Sequence, residues 1–340
     1  MSIPAYASDQ QGTAEGYERK RGERVRHRII SSILLALIPI VLVPSPARTA
    51  DREIGSVSAR VTNPANRPPI FGVAHIAFQV SDLAKARAFY GDLLGYEEPF
   101  QLFKEDGSVR LTYFKVNDRQ YIEIFPGLPP DQDDRLSHIA FETADIEALR
   151  LYLREKGTTV PDKPNQGRDG NLNFTATDPD GHRVEFVQYL PGSMHSKARN
   201  RYVSAHRISD RILHVGLTVT NVEAADRFYK EILGFSEIWR GGRTDTVTDW
   251  INMRVPDGTD YLEYMLVTGK VDRQRLGTLH HVALLVPDIQ KALETARARA
   301  SGLGAATVRS PNVGRNNRWQ LNLFDPDGSR TELMEPFTAR

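Results

Sequence analysis

Four histidines of this 340-residue chain recur in one local setting, VAHIAFQV (73–80), LSHIAFET (136–143), LHVGLTV (213–219) and HHVALLV (280–286). Each reads as a short alternating strand, and side chains on a strand point to opposite faces in turn. In the first, Ile76, Phe78 and Val80 share one face, leaving His75, Ala77 and Gln79 on the other. His75, His138, His214 and His281 are each followed two residues later by a small residue, Ala77, Ala140, Gly216 and Ala283, which leaves space above the sheet. Four glutamates behave alike in YIEIF, VEFVQY, YLEYML and TELME: Glu123, Glu185, Glu263 and Glu332 point away from their apolar neighbours. The His-to-Glu intervals are 48, 47, 49 and 51 residues. Imidazoles and carboxylates delivered in register suit a borderline divalent ion, or proton transfer.

The elements that would carry these residues repeat as well. DLAKARAFYGDLLGYEE (82–98) aligns without a gap on NVEAADRFYKEILGFSE (221–237). A helix there buries Leu83, Ala86, Phe89 or Tyr90, and Leu93, with Gly95 as its left-handed stop. DIEALRLYLREKG (145–157) and DIQKALETARARASG (288–302) supply two further helices, and DPDGHRVEF (178–186) returns as DPDGSRTEL (325–333). The DPDG turn uses a glycine that tolerates positive φ to deliver the strand carrying the last Glu at a fixed distance. The unit is one strand, one helix and about three strands, written four times.

On the HIAF-like strands, the FYxxLLGY-like helix ends (Phe89 to Tyr96 and Phe228 to Phe235) and the two DPDGxxxE turns, the chain resembles the vicinal oxygen chelate superfamily. That family includes glyoxalase I, methylmalonyl-CoA epimerase, fosfomycin-resistance proteins and extradiol dioxygenases. The resemblance spans 71–337 and implies an α+β fold of four βαβββ modules paired into two glyoxalase-like domains, 71–192 and 207–337, joined by a connector at 193–206. It also implies a divalent metal (Fe, Mn, Ni, Co or Zn) in at least one cup, since duplicated modules often leave one set of ligands as scaffold. The first would use His75, Glu123, His138 and Glu185, and the second His214, Glu263, His281 and Glu332. In a lyase or isomerase of this type one ligand Glu also moves a proton, Glu123 or Glu185 in the first cup, Glu263 or Glu332 in the second. The alternatives are an Fe(II) extradiol-type dioxygenase and a non-catalytic binding or sequestering protein. Ring-cleaving relatives place a Tyr ten residues before the ligand Glu, where this chain has Thr175 and Asn322. They place an acid-base His about fourteen residues before the second ligand His, where it has Ile124 and Val267. The substrate is a small oxygen-bearing molecule, and the sequence does not choose between the two cups.

Composition narrows the partners. With 44 basic and 43 acidic residues the charges nearly cancel, which excludes a nucleic-acid footprint. The absence of cysteine excludes disulfides, thiolate metal sites and a Cys nucleophile. Residues 1–47 read as a signal peptide: the basic run ERKRGERVRHR, the apolar IISSILLALIPIVLV (29–43), and a small-x-small exit at Ser45-Pro46-Ala47. Fifteen helical residues reach roughly 22 Å, short of a hydrocarbon core of about 30 Å. The chain is therefore read as exported, periplasmic or secreted, in contact with a membrane only if the leader stays uncleaved, with residues 48–70 as linker. A homodimer is compatible with the sequence but not required.

Other residues receive plainer readings. Arg110, Arg168, Arg240, Arg243, Arg315 and Arg318 are either substrate-facing or solvated loop charges. NQGRDGNLN (165–173) and NVGRNNRWQLN (312–322) are read as loops flanking the cup mouths. His182 is expected to face solvent, and His195 and His206 in the connector are given no role.

Overall fold

The computed structural model describes residues 67–302 and 308–339. The signal peptide and all but the last residues of the linker lie outside this range. Among the described residues no helix is long and apolar enough to cross a membrane.

Among the described residues sixteen strands form two eight-stranded sheets. The first sheet contains β1 (Ile70–Val80), β2 (Gln101–Phe103), β3 (Val109–Lys115), β4 (Tyr121–Pro126), β5 (Leu136–Thr143), β6 (Asn165–Gln166), β7 (Leu172–Thr177) and β8 (Arg183–Gln188). The second contains β9 (Ile212–Val219), β10 (Ser236–Gly241), β11 (Trp250–Arg254), β12 (Tyr261–Leu266), β13 (His281–Leu285), β14 (Asn312–Val313), β15 (Arg318–Phe324) and β16 (Arg330–Thr338). Their orders, 2-3-4-1-5-8-7-6 and 10-11-12-9-13-16-15-14, are the same pattern written twice. Within a module the first strand lies parallel to the last, and the two modules of a sheet meet where their first strands pair antiparallel. The fold is α+β, with four βαβββ modules paired in chain order.

Local sequence explains the helices. Asp82, Asp145 and Asn221 each accept a hydrogen bond from the backbone N–H three residues on, which caps an otherwise unsatisfied helix start. The repeated Phe-Tyr segments depart from the expected α-helix. Leu83–Arg87 and Val222–Ala225 are α-helical, but Ala88–Leu93 and Asp226–Ile232 widen into π-helix. The wider turn buries both members of each pair, Phe89 with Tyr90 and Phe228 with Tyr229.

The widening has a cross-sheet purpose. Tyr90 donates its hydroxyl hydrogen to Asp325 at 3.0 Å, and Tyr229 donates to Asp178 at 2.9 Å. Those aspartates open the two DPDG turns. Each also accepts from its own turn, Asp178 from the N–H groups of Asp180 and His182, and Asp325 from those of Asp327 and Ser329. Gly181 and Gly328 sit at φ 92° and 85°, as the turn requires. The motif therefore locks each half to the other half's helix as well as delivering a strand.

His182 does not face solvent. It is enclosed between the halves, with Nδ1 2.9 Å from Asp178 and Nε2 3.2 Å from Thr218 Oγ1. Thr218 in turn meets His280, whose Nδ1 lies 2.9 Å from Asp134. One apolar core runs through residues of both sheets, with the Phe141 and Phe235 rings 5.2 Å apart. Strand β1 already begins at Ile70, and Arg67 is paired with Asp257 at 2.8 Å.

Candidate metal centres

The strand order places the eight sequence-selected residues on the four central strands of each sheet. In the first sheet Glu123 lies on β4, His75 on β1, His138 on β5 and Glu185 on β8, in spatial sequence. Ala77 is in register with both Glu123 and His138, while Ala140 is in register with both His75 and Glu185. The small residues thus form the floor on which the larger groups converge. In the second sheet Gly216 pairs with Glu263 and His281, and Ala283 pairs with His214 and Glu332.

Both groups are compact. In the first, His75 and His138 bring their Nε2 atoms 3.0 Å apart. Glu123 lies 3.5 Å from His75 and 3.6 Å from His138, and Glu185 lies 4.0 and 3.6 Å from the same two nitrogens. In the second, the His214 and His281 Nε2 atoms are also 3.0 Å apart, with Glu263 and Glu332 at 3.4 to 3.7 Å from them. Metal–donor bonds of about 2.1 Å give donor–donor edges of roughly 3.0 to 3.4 Å, so both groups have the size of a divalent coordination shell. The tightest clusters are His75, Glu123 and His138 in the first cup and all four residues in the second. Glu185 stands slightly outside its cluster.

Tautomer and charge fit this reading. His281 directs Nδ1 to the Leu279 carbonyl at 2.8 Å, and His138 Nδ1 lies 3.1 Å from Ser137 Oγ, so each ring turns Nε2 inward. Burial, with His138 and His195 adding to it, holds His75 well below its ordinary range; burial with Arg183 brings His138 down to about 3. Burial, then Glu185 and Asp169, lifts Glu123 well above the usual carboxylate range, and burial with Asp169 pushes Glu185 up to about 8. The first cup therefore presents two neutral imidazoles and two carboxyls that burial and neighbouring acids keep raised, although Arg183 draws Glu185 the other way. The second cup differs. Burial opposes ionisation of Glu263 and Glu332 as well, but hydrogen bonds and charges from the two imidazoles, and Arg330 beside Glu332, leave both below the usual range.

Access separates the cups further. A cavity of about 420 Å³ opens onto all four residues of the first. Its walls include Tyr113, Phe125 and Tyr189, and Arg110, Arg168 and Arg183. Loop 165–173 lines it, as the sequence suggested. The second cavity is about 240 Å³ and reaches Glu263 and Glu332 beneath Trp239, Trp250, Met265 and Gln320. There His281 lies so close over Gly216 that a Cβ at that position would fall 2.0 Å from its Cε1. Among the arginines singled out from the sequence, Arg110 and Arg168 line the first cavity and Arg315 the second, whereas Arg240 and Arg243 are taken up by Glu237 and Asp249.

Two residues of the first cup were not found from the sequence. Tyr113 on β3 pairs directly with Glu123 and stands ten residues before it. At the last Glu of each half the same offset falls on Thr175 and Asn322, which oppose Glu185 and Glu332 in register. The signal in the sequence is the same ten-residue offset, taken from Glu123. His195 enters from the connector, and nothing local in the sequence marks it.

Comparisons with known proteins agree with this architecture. The model of the glyoxalase/bleomycin resistance protein/dioxygenase superfamily matches residues 72–186 and 211–333. The uncharacterized protein YaeR of Escherichia coli is 30% identical over 126 residues, covering 34% of this chain and 95% of that protein. Glutathione transferase FosA of Serratia marcescens is 33% identical over 119 residues, covering 33% of this chain and 76% of the transferase. Among solved structures, homoprotocatechuate 2,3-dioxygenase from Brevibacterium fuscum, complexed anaerobically with 3,4-dihydroxyphenylacetate, superposes with TM-score 0.59 at 21% identity, covering 81% of this chain and 83% of that one. The Mn(II)-bound glyoxalase from Novosphingobium aromaticivorans superposes with TM-score 0.60 at 18% identity, covering 79% and 83%. With a match to the family model across both halves of the described fold, this chain belongs to the glyoxalase/bleomycin resistance protein/dioxygenase superfamily.

Proposed function

We propose that the first cup is the working site of a metal-dependent lyase or isomerase, glyoxalase-like in chemistry, acting on a small substrate with neighbouring oxygens. The observation that carries this reading is the convergence of His75, Glu123, His138 and Glu185 within 3.0 to 4.0 Å under an open cavity. Two nitrogen and two oxygen donors suit Fe, Mn, Ni, Co or Zn, and such an ion, when bound, supplies a Lewis acid with positions left for substrate oxygens. His75 and His138 would hold the ion from the two central strands. Glu123 completes the tight cluster, and Tyr113 stands opposite it in register. Glu185, the outlying carboxylate, is placed to leave the cluster and take a proton from a carbon beside the substrate carbonyl. The apolar wall receives the body of the substrate, and Arg110, Arg168 and Arg183 favour an anionic end. The second cup, smaller and internally compensated, is assigned a structural metal. An export signal at residues 1–47 would put this activity outside the cytosol.

A fourth protein ligand, the second carboxylate Glu185, weighs against ring cleavage, which uses a face of two His and one Glu. Tyr113 is the observation that favours it, since that residue stands at the symmetry-equivalent place of the tyrosine in ring-cleaving relatives. Metal analysis of the purified protein, repeated after His138→Ala and His281→Ala, tests the proposal. Each substitution should remove one equivalent, and only the first should abolish activity. A protein without metal would favour the sequestering alternative, and Fe(II)-dependent oxygen uptake with a catechol would favour the dioxygenase.

A further inference from the structure

The segment between the halves returns to the first cup. Ser193 caps a short helix, Met194–Lys197, by accepting from the Ser196 N–H. The Met194 N–H donates to the Asp169 carbonyl at 2.8 Å, which ties the segment to the loop lining the cavity. The buried Lys115 ammonium reaches the carbonyls of Ala198 and Arg201 and anchors its far side.

This anchoring places His195 in the cavity wall, 4% exposed. Its ring is enclosed by Tyr121, Phe100, Tyr189 and Tyr113, with centroids 4.6 to 5.2 Å away. Nδ1 lies 2.8 Å from the Asn171 amide nitrogen and 3.2 Å from an Asp169 carboxylate oxygen. The carboxylate accepts from a protonated Nδ1, which leaves the neutral ring with a bare Nε2. Nε2 is buried and has no partner among the described residues. A buried polar atom without a partner is costly, and it is the atom left for a guest. Burial holds the imidazole below its ordinary range despite Asp169, so the ring meets the guest neutral.

We propose that His195 exchanges a proton with an oxygen of the first cup's guest, with Asp169 and Asn171 positioning its ring. This rests on the first cup being the metal-bearing site. A guest with an acidic O–H beside a second oxygen enters neutral. Its O–H bond breaks, the electron pair stays on oxygen, and the proton passes to Nε2. The resulting imidazolium keeps its Nδ1 hydrogen on Asp169, whose carboxylate balances the new charge. The same proton is returned when the product leaves. Glu185 handles the proton on carbon, so the two groups have separate tasks.

Acetohydroxamic acid, a neutral acid with two neighbouring oxygens, is the probe. Its binding to the metal-loaded full chain is measured by calorimetry in two buffers of different ionisation enthalpy. The unsubstituted protein should release no net proton, because His195 retains it. His195→Gln should release one proton per probe bound and bind it roughly ten- to a hundredfold more weakly. In ¹⁵N NMR of the unsubstituted protein, the His195 Nε2 resonance should move to the imidazolium position when the probe binds, which needs no variant to fold. Equal proton release in both proteins, with an unmoved resonance, overturns the role of His195 while leaving the metal site intact. If His138→Ala removes no metal equivalent, or the probe does not bind at all, the first-cup reading fails and this inference with it.

Discussion

Glu185→Gln measures how the first cup is charged. Burial, with Asp169 adding to it, pushes the Glu185 carboxyl up to about 8, against an ordinary value near 4.5. A carboxyl with a raised folded-state value keeps its proton when folded over a range where the unfolded chain has lost it. Metal-free protein should therefore lose stability as pH rises from about 4.5 to 8. At about 1.36 kcal/mol per unit the ceiling is about 5 kcal/mol. The side chain is 15% exposed and Glu123 shares the same surroundings, so about 2 to 4 kcal/mol is the working expectation. Glutamine is neutral throughout and should flatten this slope. The assay is urea unfolding in a chelator at pH 5, 6, 7 and 8. Adding a divalent ion at a hundredfold excess over its Kd should restore about 2.7 kcal/mol to the unsubstituted protein at pH 8, and less to the variant. Parallel pH curves for the two chelated proteins would refute the reasoning, because they would mean the carboxyl is already solvated or paired and the cup awaits no cation.

Other perturbations test other links. Gly216→Ala should displace His281 and remove one metal equivalent from the second cup, leaving the first equivalent in place by metal analysis. Tyr90→Phe deprives buried Asp325 of a donor and should cost about 1.5 to 3 kcal/mol in urea unfolding, as should Tyr229→Phe at Asp178, with the two adding; a loss under about 0.5 kcal/mol would undo the cross-half lock. His182→Ser makes the first DPDG turn resemble the second. There Asp325, lacking a histidine, is pushed up by burial to about 6, whereas Asp178 is held low: burial opposes this, but its hydrogen bond and charge pairing with His182 prevail. The variant's deficit should widen by about 3 kcal/mol as pH rises from 4 to 6, since only its folded state then retains the extra proton; a deficit independent of pH would count against the pairing.

The alternation of side chains along a strand is local, so the sequence alone determined which face each His and Glu takes and that the unit is written four times. Ala77, Ala140, Gly216 and Ala283 showed where the floor of each cup would lie for the same reason. Registers across β4, β1, β5 and β8 then follow from burying one apolar face, because a one-residue slip would expose it. The π-turn at Phe89–Tyr90 and its bond to Asp325 join residues 235 apart in sequence, and helical periodicity does not record such a partner. The same limit hid His182 between the halves and brought His195 from the connector to Asp169 and the first cup. Tertiary packing alone decided that one cup has the larger cavity and raised carboxyls while the other has a smaller cavity and carboxyls held low by their imidazoles. Access and charge balance depend on which distant chains cover a site, and eight equivalent donors cannot specify their different roofs.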